Sequence, residues 1–259
     1  VINGVLGPLL LGGAVATFFD GSHFVVDKLN RANGMQPVIS HWANASNGLD
    51  ALLDPWNLVF GLAVLFLARI LGILYIINNV NDEEIRRRGS AQLIGNSAVF
   101  LVLFLAFFFN TLLMHGYAYD QATGVIFTVP MKYFNNFIEM WYLAIIFVIG
   151  VVFLLYGIIR TVLSKVYIRG IWPAGIGVVL VVLALLLCTG WNNTAYYPSN
   201  ADLQSSLTIA NSCSSEFTLR TMAIVSIFIP FVLAYIVYAW YLIDKKKIDK
   251  DEIANDDAY

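Results

Sequence analysis

Charge is scarce in this sequence. Only 12% of its 259 residues are charged, while 59% are apolar. A soluble globular domain carries about 25% charged residues, so the shortage excludes an ordinary water-soluble fold. Nothing basic enough to attract a nucleic acid is present. Two cysteines do not make a disulfide framework, and three histidines do not make a clustered metal site. No repeat with a period of about 20 to 50 residues is visible. The chain opens at Val1 inside an apolar run with no basic residues before it. That start is unlike a signal peptide. It reads as a chain from which an upstream part is missing.

What is present is a series of long apolar runs. Residues 56–77 hold 22 positions with one charge, Arg69. As a helix they cover roughly 33 Å, enough for a bilayer core of about 30 Å. Six such segments can be drawn, at 1–19, 56–77, 91–114, 137–159, 171–191 and 219–243. The expected fold is therefore all-α: a polytopic helical membrane protein with six transmembrane helices. Segments two to five are expected to form a four-helix bundle, with flanking helices beside it and Gly and Ala at the crossings. The whole of 1–259 is read as one integral membrane domain, with 244–259 as its tail.

The connections alternate in charge. Arg86, Arg87, Arg88, Arg160, Lys165, Arg169, Lys245, Lys246, Lys247 and Lys250 fall on one side, against Lys28, Arg31 and Lys132 on the other. Basic residues accumulate in cytoplasmic connections, so the basic side and the C-terminus are read as cytoplasmic. Trp42, Trp56, Trp191, Tyr196 and Tyr197 then fall at the outer headgroup level. A short interfacial helix is expected within 41–57, before segment two. Ser and Thr before Leu219 can cap the sixth segment.

Few side chains are candidates for chemistry. Arg69 lies about 12 Å from the inner end of its segment, where a charge costs a few kcal/mol unless it faces protein, water or a partner. One reading makes it the partner of a carboxylate, a lipid headgroup or a quinone; the other makes it a snorkelling arginine or half of a structural ion pair. Asp20 and His23, where segment one leaves the membrane, and Glu139, where segment four enters it, are proton-route candidates. Ordinary interfacial solvation accounts for each of them equally well. His23, His41 and His115 all fall on the outer side, and Met35, Met114, Met131, Met140 and Met222 fall at segment ends or in loops. An intramembrane haem needs axial ligands from facing helices, so this chain is not expected to hold one alone. Cys188 and Cys213 both map to the outer side and can pair only if that side is oxidising. Asn44-Ala45-Ser46 and Asn192-Asn193-Thr194 match the glycosylation pattern, a short match that arises often by chance.

The polar stretch 192–219 is the most distinctive. Tyr197-Pro198-Ser199, Ser206-Leu207-Thr208, Ser214-Ser215 and Thr218-Leu219, followed by Pro230 and a basic tail, resemble subunit II of the cytochrome bd quinol oxidases. So do Ala16-Thr17-Phe18-Phe19, Asp54-Pro55, the run from Ala68 to Asn79, Tyr133 and the run from Gly170 to Gly177. The likeness covers essentially the whole chain as an ordered series. It implies a heterodimeric terminal oxidase of the respiratory chain in the bacterial inner (cytoplasmic) membrane, oxidising quinol and reducing O2 to water. It further implies haem b and haem d ligated by the partner, subunit I, a possible structural quinone, and nine helices of which these six match the last six. Subunit II is then a non-catalytic scaffold that contributes to a proton route. A transporter or permease is the competing class. It predicts repeated halves and polar residues near the midplane of broken helices, and segments three to six carry almost no such charge. A structural subunit of another membrane complex is the third.

Overall fold

Local caps decide where the long helices begin. The computed structural model of the protein describes residues 2–27, 39–164 and 166–244. After α1 (Ile2–Asp20) and an irregular stretch, the Asp54 carboxylate accepts the Trp56 and Asn57 amides at 2.8 and 3.3 Å and starts α2 (Pro55–Asn79). Pro55 sits at the first position, where no amide is needed. The Asp82 carboxylate takes the Ile85 amide at 2.9 Å and starts α3 (Glu83–Leu113). This start is earlier than the sequence reading placed it. Arg86, Arg87 and Arg88, expected in a connection, lie on the first turns of α3. The acidic Glu83 and Glu84 suit a helix N-terminus, and Arg88 pairs with Glu84 one turn back. A helix of 31 residues is about 46 Å long, so its charged start extends beyond a bilayer core.

The fourth apolar segment also resolves differently. A short helix, α4 (Lys132–Glu139), ends at Met140, and the span itself is α5 (Trp141–Leu163). Phe137 and Glu139 therefore belong to α4, and Glu139 does not open the span. The fifth span is α6 (Ile171–Gly190). The sixth is broken into α7 (Glu216–Ser226) and α8 (Ile229–Asp244). Pro230 has no amide to continue the ladder across the break. The Ser215 hydroxyl takes the Thr218 amide at 3.3 Å, the cap expected there. Among the described residues, α1, α2, α3, α5 and α6, and α7 and α8 taken together, are six spans long and apolar enough to cross a membrane.

Two small antiparallel strand pairs, absent from the all-helical expectation, lie at the helix ends that the charge pattern reads as outer. β1 (Phe24–Val26) pairs antiparallel with β2 (Ser40–Trp42), and β3 (His115–Tyr119) with β4 (Ile126–Pro130). The second is closed by a turn in which Asp120 takes the Ala122 amide and the Thr123 hydroxyl, and Gly124 adopts φ 70°. The short helix expected before α2 is a 3-10 helix at Leu49–Leu53.

Helices α2, α3, α5 and α6 form the four-helix bundle. α2 packs along α3 and α5 along α6, with contacts across from α3 to α5 and from α2 to α6. The crossings use small residues, as packing without a hydrophobic drive requires. A methyl group on Gly12 of α1 would fall 2.7 Å from the Gly61 Cα of α2. One on Gly150 of α5 would fall 2.8 Å from the Gly177 carbonyl of α6. Phe60 and Phe107 meet at 4.3 Å between ring centres near the outer end, and Ile70, Leu74, Leu93 and Ile158 fill the inner end. α7 and α8 lie apart from the bundle with no buried residue among those described, and Trp240 meets Tyr75 edge-on. Lys28, Arg31, Met35, Lys165 and the tail from 245 to 259 lie outside the described residues.

Candidate functional site

The outer ends of the helices are tied together by hydrogen bonds from loops far apart in sequence. Tyr133 of α4 is fully buried and donates its hydroxyl to the Phe19 carbonyl at 3.2 Å, near the end of α1. Burial first, then the nearby Tyr117 and Asp20, push its phenol well above the usual value. Asn136, one turn on, is also fully buried. Its amide donates to the Cys188 carbonyl and the Thr194 hydroxyl, both at 2.9 Å, and its oxygen accepts from Asn192 at 2.9 Å. The Cys188 carbonyl is one of the last in α6 and has no partner within its own helix. Asn136 thus caps α6 from the side.

Glu139 belongs to the same node. The Asn192 amide donates to its carboxylate, and the Lys132 ammonium donates to the Asn192 carbonyl at 2.8 Å. Burial lowers the Lys132 pKa, and the Glu139 charge partly offsets that. Asn192 and Asn193 stand at φ 58° and 54°, left-handed geometry that Asn tolerates better than most residues.

His23 sits elsewhere. Its Nδ1 lies 2.9 Å from an Asp50 oxygen, and Asp50 also accepts from the Ser46 hydroxyl and the Asn44 amide at 2.7 and 2.9 Å. The Ser46 hydrogen bond is the main cause holding the Asp50 carboxyl below its ordinary value. Asp20, the last residue of α1, is in neither cluster. Its Oδ2 is buried without a hydrogen-bond partner, and Asp54 and Tyr117 are within electrostatic range. The Tyr117 hydroxyl reaches Asn200, whose amide donates to the Asp20 backbone carbonyl at 2.9 Å. Burial, then the Asp20 charge, raise the Tyr117 phenol above its usual value. The three outer candidates are therefore not one constellation: His23 and Glu139 have separate partners, and Asp20 retains an unpartnered oxygen.

Arg69 is at the opposite end, exposed on the outside of the bundle, with its guanidinium 5.8 Å from the Phe66 ring centre. The bundle interior holds a different feature. An apolar cleft of about 190 Å³ lies between α2, α3, α5 and α6, lined by residues including Phe60, Phe104, Phe147, Val151 and Leu185, with exposed Leu101 and Phe109 at its rim. Cys188 and Cys213 are both free, the first buried and the second exposed. The side chains of Asn44 and Asn192 are engaged in internal hydrogen bonds.

Asn136 and Lys132 were missed as site residues. The polar pair Asn135-Asn136 ahead of an apolar run was a visible signal, but its partners lie 52 and 58 residues away.

Six apolar spans among the described residues, four of them bundled beneath a hydrogen-bonded cap, define a polytopic helical membrane protein. The chain belongs to the cytochrome bd terminal oxidase subunit II family, whose family model matches residues 1–243. A search of the curated proteins found no match. The family is part of a haem-containing terminal oxidase complex with another subunit.

Proposed function

We propose that this chain is the second subunit of a heterodimeric quinol oxidase in the bacterial cytoplasmic membrane, one integral domain with a cytoplasmic tail at 244–259. Its partner, subunit I, holds haem b and haem d, oxidises quinol and reduces O2 to water. The family match across 1–243 carries this reading. Among the described residues, no histidine lies between the bundle helices to hold a haem there. His23 is paired with Asp50, His41 lies in β2 and His115 starts β3, all on the outer side. No step of the oxidase reaction is therefore assigned to a haem on this chain. The lining of the internal cleft suits an isoprenoid segment of a structural quinone's tail. Its lining is hydrocarbon and aromatic throughout, and it offers the quinone head no hydrogen-bond donor.

Co-purification with subunit I tests the reading. The complex is expected to show haem absorption and quinol-dependent O2 consumption, and this chain purified alone is expected to show neither. Haem held by this chain alone, or a haem-free complex, overturns it.

Asp20 is the outer residue placed to exchange a proton, because one of its oxygens is buried and unpartnered among the described residues. His23 and Glu139 act as clamps through the partners described above. Asp20→Asn is expected to lower quinol oxidase turnover at least severalfold while the assembled complex keeps its haem content. Unchanged turnover removes Asp20 from the proton route.

A further inference from the structure

Arg69 turns its charge toward the middle of the membrane. α2 runs from Pro55 to Asn79, so Phe66 stands within one residue of its midpoint. The Arg69 guanidinium is 5.8 Å from the Phe66 ring centre, one turn back along α2 and away from the nearer interface at the α2–α3 turn. Lipid phosphates of either leaflet are then about 15 Å away, half of a bilayer core. A charge at that depth is costly unless protein or water meets it. Yet Arg69 is exposed, and among the described residues it makes no ion pair. Arg88, by contrast, is already paired with Glu84.

The surface beside Arg69 is open to a close approach. A groove of about 490 Å³ runs between α2 and α3, with Arg69 and Gly72 on one side and Gln92 on the other. A second, of about 600 Å³, shares Gln92 and continues past Phe66 to Gly95 and Val99. No carboxylate lines either groove. A Cβ added at Gly72 or Gly95 would meet nothing within 4 Å. Ala91 and Ala98, one turn to either side of Gly95, are exposed on the same face. Small residues in this arrangement let a second helix backbone come close without a hydrophobic drive.

We propose that this face of α2 and α3 docks one transmembrane helix of the partner subunit, and that this helix carries an Asp or Glu opposite Arg69 at the level of Phe66. The proposal rests on the two-subunit reading above. Charge complementarity selects the occupant. A carboxylate accepts the guanidinium fork through two parallel hydrogen bonds and cancels its charge. The neutral carbonyl of a quinone head would leave the charge uncompensated, and the depth of the guanidinium separates it from lipid phosphate. The small residues supply the seam, and the arginine fixes its register.

The test uses the complex purified through a tag on this chain, with the ratio of partner subunit to this chain measured by quantitative mass spectrometry. Arg69→Glu, which sets two like charges together, is expected to lower that ratio about tenfold or more, and Arg69→Lys to keep about half of it or more. Gly95→Leu, which fills the seam without touching a charge, is expected to lower it about fivefold while the membrane level of this chain is unchanged. Where Arg69→Glu prevents folding, Gly95→Leu decides, because no atom of this chain is within reach of the new side chain's Cβ. In the assembled parent complex, a benzophenone amino acid at Val99 is expected to cross-link a transmembrane peptide of the partner that contains Asp or Glu. An unchanged ratio in Gly95→Leu overturns the proposal. So do Val99 adducts confined to lipid or to this chain, or a cross-linked partner segment without an acidic residue. A parent preparation that lacks partner and haem instead overturns the two-subunit reading itself.

Discussion

Gly177→Val is expected to reduce sharply the amount of assembled protein recovered from the membrane, by roughly tenfold or more, whereas Gly175→Val two residues away is expected to leave it unchanged. The difference comes from what a new Cβ would meet. At Gly177 it would fall 2.5 Å from both the Gly150 carbonyl oxygen and the Leu154 amide nitrogen. Both are backbone atoms of α5, so no side chain can turn aside, and α5 and α6 must separate. Overpacking of a close interface costs about 1–3 kcal/mol when neighbours can shift, and more when they cannot. Each 1.4 kcal/mol is about tenfold in an equilibrium. Gly175 has nothing within 4 Å of its would-be Cβ and faces outward. Helix propensity makes Val there neutral or better than Gly. Recovery of detergent-solubilised, monodisperse protein, normalised to membrane expression, measures both. Equal recovery of the two variants would mean that α5 and α6 do not meet at Gly150 and Gly177.

This pair of glycines shows what was legible in the chain and what was not. The spans were legible because a bilayer core accepts only backbone that satisfies itself, so apolar length alone marks a helix. The bundle was legible too, since short turns such as 80–82 force neighbours to pair and glycines mark close crossings. Which face of each helix turns inward was not legible. Lipid and protein interior are both apolar, so the contrast that reveals a buried stripe in water is weak here. Arg69 shows the consequence: its depth could be counted from sequence, but its position on the outside of the bundle could not. Boundaries failed where polar and apolar residues mix. The start of α3 depended on the Asp82 cap, and the separation of α4 from α5 depended on partners in 188–194. The β3–β4 hairpin carried a signal in the Asp120 to Gly124 turn, obscured by the apolar residues on either side of it.

Asn136→Leu is expected to destabilise the protein by about 3 kcal/mol, and Asn135→Ala by almost nothing. The two asparagines are adjacent, yet Asn136 is completely buried while Asn135 is exposed. Leucine matches the branching of asparagine, is bulkier, and can neither donate nor accept. The Cys188 carbonyl would lose its donor at the end of α6, and the Asn192 amide would lose one of its two acceptors. Thr194 keeps its contact with the Asn192 carbonyl at 3.3 Å, so its loss is partial. A buried polar group left without a partner costs about 1–3 kcal/mol, and the three effects together set the magnitude. For a chain of this size about 3 kcal/mol lowers the thermal midpoint by roughly 10 °C. Thermal unfolding of the purified complex, followed by loss of monodispersity, is the measurement. Asn136→Asp separates hydrogen bonding from packing: it keeps the acceptor for Asn192 and loses the donors to Cys188 and Thr194. A buried carboxylate facing the Cys188 carbonyl adds a charge cost, so its midpoint at neutral pH is expected no higher than that of the leucine variant. A leucine variant as stable as the parent would show that the loops over α6 hold without this residue.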